Sequence, residues 1–135
     1  MIKPGDIIDY YYLWHRQAEA GEESGRKARP VCLAVVSQRD PTRLFLFPVT
    51  TQPPFRDRAA FALSQLECKR VRLRHPSWLI LDEYNIAATD YVTDFGDLEP
   101  RGSLTPATLR AVLGEIRALQ AAGRLRGVRR DTDSP

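Results

Sequence analysis

The sequence predicts a small α+β protein, mainly β, whose strands curl into a half-open barrel of about five strands with a short helix and a C-terminal amphipathic helix. Three observations lead there. Apolar, β-branched and aromatic runs recur at 5–14, 30–38, 44–51 and 78–84, each bounded by turn-forming residues. A single helical stripe is evident, with Leu109, Val112, Leu113, Ile116 and Leu119 on one face. A flat five-stranded sheet under one helix would leave its edges unpaired, and curling removes that problem.

The elements follow in order. "GDIIDYYYLW", residues 5–14, follows Pro4 and reads as the first strand. Residues 15–28 are polar and charged with two glycines, which suits a long loop; a helix is conceivable at 16–20. Residues 30–38 and 44–51 form two apolar strands, and the Asp40-Pro41 turn between them makes a hairpin. Ser64 and Glu67 stand at capping-box spacing, opening a short helix through Val71. "HPSW" breaks to a strand at 78–84, and a weaker extended segment covers 88–95. In the last helix Thr105 is the cap, Pro106 takes the first turn and Gly123 supplies the stop. The expected organisation is one domain, 1–123, followed by a charged, disordered tail, 124–135.

Composition removes several classes of function. No stretch approaches the 18 or more apolar residues of a membrane span, and the N-terminal segment lacks the apolar core of a signal peptide. A soluble, cytoplasmic protein without a membrane partner is expected. Cys32 lies inside an apolar run and Cys68 in "LECKRV", neither in metal-ligand spacing, and only two histidines are present. No metal and no cofactor is expected. The net charge is +3, unevenly spread. Residues 75–100 contain acidic side chains and no Lys or Arg, while 25–29, 70–74 and 123–130 are basic. Such segregation suits a phosphate-accepting surface, and equally a solvated face with uneven charge.

Arg29 concentrates the functional question. Pro30 keeps it extended, at the mouth of the second strand. Counting outward from the hairpin turn sets it opposite Gln52 or Thr51, so a guanidinium, the Thr50 and Thr51 hydroxyls and an amide converge at the hairpin's open end. A guanidinium fork matches phosphate oxygens and stays charged at any working pH. Such a site can cleave RNA with the 2′-hydroxyl as a tethered internal nucleophile. The plainer alternative is that the two threonines merely finish a strand that Gln52 caps. Tyr12 and Trp14 suit either stacking on a base or packing in the core.

The ordered set "PGDIIDYYY", "GRKARPVCLAVVS", "LFPVTTQ" and "LTPATL" resembles the MazF/PemK family of toxin endoribonucleases over residues 4 to 122. The resemblance implies the SH3-like barrel shared with CcdB/Kid toxins. It implies that Arg29 and Thr50 are the catalytic pair, and that Arg26, Lys27, Thr51 and Gln52 contact RNA. Its partners would be single-stranded RNA, a small antitoxin protein and a second copy in a homodimer. Many members carry Glu five residues before the arginine; here that position is Ser24, which leaves Glu23 and His15 as candidate bases. Two alternatives belong to other classes. One is a non-enzymatic, CcdB-like barrel that poisons a protein target such as a topoisomerase. The other is a catalytically inactive relative kept as a binding module.

Overall fold

The structure, a computed structural model, describes residues 2–22, 25, 27–36, 39–40, 42–88 and 95–130. In chain order these form β1 (Asp6–Tyr10), α1 (His15–Glu19), β2 (Arg29–Val36), β3 (Arg43–Thr50) and β4 (Ala60–Ala62). There follow α2 (Gln65–Arg70), β5 (Trp78–Ile80), β6 (Glu83–Ala88), β7 (Phe95–Ser103), α3 (Pro106–Ala121) and β8 (Arg126–Arg129). The α+β, mainly β class is as expected, with an open sheet of eight strands rather than about five.

β3 organises that sheet. One side of it pairs with β2; the other side pairs with β6 along Arg43–Leu46 and with β5 along Val49–Thr50. The main path runs β4-β5-β3-β2-β1-β7, with β6 and then β8 branching from β3. All pairings are antiparallel except β6 with β8, which is parallel. A strand that changes partner halfway along lets the sheet divide, and the expected single strand at 78–84 is split for this reason. Its first half serves one branch and its second half the other.

Side-chain alternation along the central strands sorts the interior into two cores. Ile7, Cys32, Ala34, Phe47 and Val49 face one way, where α3 covers them with Val112, Ile116 and Leu119. Ile8, Tyr10, Val31, Leu33, Leu44 and Leu46 face the other way, among Tyr12, Trp14 and Ile80. Burying each of these aliphatic side chains contributes about 1.5–3 kcal/mol. The α3 stripe therefore packs on its own sheet, with Leu113 partly buried at the margin.

The helix caps follow the sequence with one change. Thr105 and Ser64 cap α3 and α2 through their hydroxyls. Glu67, expected to complete the capping box, is buried and serves α3 instead. Its carboxylate accepts from Thr105 Oγ1 at 2.6 Å and Thr108 Oγ1 at 2.7 Å, tying the start of one helix to the side of the other.

Three strands escaped the sequence reading: β4, β7 and β8. The last corrects the expected disordered tail over 124–130, because Arg126–Arg129 pair with Glu83–Ile86 and Val128 is buried; 131–135 lie outside the described residues. α1 spans His15–Glu19, where the sequence suggested a loop with a conceivable helix. No helix among the described residues is long and apolar enough to cross a membrane.

Candidate functional site

The start of β2 and the end of β3 meet beside β1. Arg29 pairs with Tyr10 of β1, and the β2–β3 ladder runs from Val36↔Leu44 to Val31↔Pro48. Continued, that register brings Arg29 level with Thr50 rather than with Thr51 or Gln52. The shift has a cause: a bulge between Leu33 and Val35 takes up an extra residue of β2.

Around this junction lies a cleft of about 650 Å³. Its cations are Arg16, Lys27, Arg29 and Arg58, and Trp14, Thr50, Thr51, Gln52 and Phe55 complete the parts that matter chemically. Among the described residues, no Asp, Glu or His lines it. Arg58 is already neutralised: its Nε donates to Asp82 Oδ2 at 2.9 Å, and its Nη2 donates to Asp82 Oδ1 at 2.6 Å and Glu83 Oε1 at 2.8 Å. Among the described residues, that leaves Arg16, Lys27 and Arg29 to set the charge of the cleft.

Arg29 is half-buried, and its Nε is buried without a hydrogen-bond partner among the described residues. A buried polar donor left unpaired is costly, and more so when it belongs to a charged group. Its guanidinium carbon lies 5.0 Å from the Trp14 ring centre, and that of Arg16 lies 5.2 Å from the same centre. Burial, and then the neighbouring Arg16, lower the pKa of Arg29, with Tyr12 opposing them. An anion in the cleft would offset both penalties, since it supplies the missing acceptor and the missing negative charge.

Trp14 holds its place through β6. Glu83 Oε2 accepts from the Tyr12 hydroxyl at 3.0 Å and from the backbone N of His15 at 2.9 Å. Asn85 takes both sides of the Leu13 peptide, accepting from its N at 2.9 Å and donating to its O at 2.8 Å. The Tyr12 ring meets Trp14 edge-on, with centres 5.1 Å apart. Burial, then Glu83, push the Tyr12 pKa well up, so the phenol stays a proton donor. The segment 12–15 thus sits on a buried polar frame, and Trp14, 7% exposed, forms a fixed floor under Arg29.

Thr50 Oγ1 accepts from the backbone N of Gln52 at 3.0 Å, which closes a small turn and leaves its own O–H free to donate. Thr51, Gln52 and Lys27 are exposed at the rim. Arg26 and Glu23 lie outside the described residues. His15 is placed differently from expectation. Its Nδ1 is 3.3 Å from Glu19 Oε1, and it lines a neighbouring charged pocket, not the Arg29 cleft. Tyr12 is a core residue rather than a stacking surface.

Arg16, Phe55, Arg58 and Glu83 matter here, and none stood out in the sequence as part of the site. A cation beside an aromatic in "LWHR" was the available signal for Arg16; nothing local marks Glu83, whose partners lie 25 to 71 positions away. Among the described residues, no group of three or more His, Cys, Asp and Glu side chains is placed to hold a metal. Cys32 is fully buried and its thiol is pushed up to about 12 by burial, as befits a core residue. No protein-family model matches the chain, and no curated protein matches it significantly.

Proposed function

We propose that the protein is a metal-independent endoribonuclease toxin of the MazF/PemK type, cleaving single-stranded RNA at the Arg29 cleft. The observation that carries this reading is the buried Nε of Arg29, unpartnered among the described residues, in a cleft whose described lining has cations and hydroxyls but no carboxylate. That chemistry suits a phosphodiester and disfavours a cationic or neutral polar ligand.

In this reaction the 2′-oxygen forms a bond to phosphorus, and the bond from phosphorus to the 5′-oxygen breaks. Arg29 donates to the non-bridging oxygens as charge builds on the phosphorane, and the Thr50 hydroxyl donates to another. The 2′-hydroxyl gives up its proton to solvent as it attacks, and the leaving 5′-oxygen gains a proton from solvent. The products carry a 2′,3′-cyclic phosphate and a 5′-hydroxyl. Because the nucleophile belongs to the substrate, the step needs only orientation and charge stabilisation. The SH3-like barrel, a cytoplasmic location, a homodimer and a small antitoxin protein that silences the cleft belong to the same reading.

The test is a matched pair of single strands, one ribo and one with every 2′-hydroxyl removed. Cleavage of the first alone, yielding a cyclic phosphate, supports the proposal. Cleavage of both overturns the internal-nucleophile mechanism. Cleavage of neither, with growth arrest on expression, favours the protein-poison class.

A further inference from the structure

Phe55 is 82% exposed, yet it is presented rather than loose. Pro53 and Pro54 precede it and restrict its approach, and its carbonyl accepts from the backbone N of Arg58 at 3.0 Å to close a turn. That turn is bolted to β6 and its flank. Arg58 is held by Asp82 and Glu83, and the backbone N of Ala59 donates to Asp82 Oδ2 at 3.1 Å. The doubly paired Arg58 thus holds an exposed aromatic ring at the rim of the cleft that contains Arg29.

We propose that Phe55 is the platform on which one unpaired base of a bound single strand stacks. The inference rests on the nucleic-acid reading of the cleft and names the residue that recognises a base rather than a phosphate. Trp14, the other aromatic of the cleft, is nearly buried and already engaged by two guanidiniums, so it cannot offer a free face. Leu66, the similarly exposed apolar residue on α2, does not line this cleft. Phe55 combines an open π-face, a rigid mount and adjacent unneutralised cations, the combination that sequence-tolerant single-strand binding uses. A base inserted into a duplex has both faces covered, so the platform selects unpaired strands.

The experiment measures binding of the full chain to a labelled 2′-deoxy single strand, which lacks the attacking hydroxyl, by fluorescence anisotropy at fixed salt. An abasic residue is then walked along the strand. Wild type should lose about 5- to 100-fold in affinity at one abasic position. Phe55→Ala should bind the intact strand that much more weakly and show no further loss at that position, while Phe55→Trp keeps the affinity. Because Phe55 is exposed, circular dichroism of the variants should be unchanged. Full affinity in Phe55→Ala, an abasic penalty that persists in it, or no single-strand binding at all would overturn the proposal. Phe55-dependent binding with uncut RNA would sink the nuclease reading alone; RNA cleavage with KM unchanged in Phe55→Ala would sink the platform alone.

Discussion

The guanidinium carbon of Arg29 stands 5.0 Å from the centre of the Trp14 ring, and the Nε beside it is buried without a partner among the described residues. One side of the cation is satisfied by a π-face and the other is left for a ligand. Trp14 therefore acts through Arg29, as a positioning residue. Trp14→Leu should lower kcat/KM for RNA cleavage about 2- to 30-fold through the lost cation–π contact, while Trp14→Phe retains most of it. Initial rates at RNA concentrations well below KM check this. Full activity in a folded Trp14→Leu protein would remove Trp14 from the account.

The polar frame under Trp14 gives a graded pair. Tyr12→Phe removes one hydrogen bond to Glu83, whose Oε2 still accepts from the His15 N, and should cost about 1 kcal/mol. Glu83→Gln also removes a charged partner of Arg58 and should cost about 3 kcal/mol. Urea unfolding measures both. Equal losses would mean that the ion pair contributes nothing beyond the phenol contact.

Glu67 supplies a pH dependence. Burial pushes its pKa up, but hydrogen bonds from Thr105 and Thr108 outweigh burial and hold it below its ordinary value of 4.5. A depressed folded pKa contributes stability that is present in full above the unfolded value and is lost as pH falls through the folded one. The melting-temperature gap between wild type and Glu67→Gln should be widest near neutral pH and narrow below about pH 4.5. A gap that is constant down to pH 3 would contradict the linkage.

The hairpin, the α3 stripe and both threonine and serine caps were legible because each is set by local pattern or by a single capping residue. β4, β7 and β8 were not. "AFA" is too short to alternate, "FGDLEPRGS" contains Gly and Pro, and "RGVR" buries only Val128, so none of these strands carries an apolar alternation long enough to read. In the cleft, Arg29 with Thr50, Thr51 and Gln52 could be foreseen from a hairpin count, whereas its exact partner was displaced by the bulge. The Glu83 and Asn85 frame was invisible because it joins positions separated by about 70 residues.

β8 overturns the disorder expected just after Gly123, and its contribution can be tested by deletion. Ending the chain after Gly123 removes the parallel pairing with β6 and the buried Val128. It should cost at least about 2 kcal/mol of stability. A truncated chain as stable as the full one would show that the strand adds nothing to the fold.

The most direct test of the central claim compares wild type with Arg29→Ala on a long single-stranded RNA in the presence of EDTA, with the ends of any fragments identified. The account predicts fragments with cyclic-phosphate and 5′-hydroxyl ends from the wild type, and at least about 100-fold slower cleavage by a variant with the same circular dichroism. Equal cleavage by both proteins, or wild-type cleavage that EDTA abolishes, would contradict it.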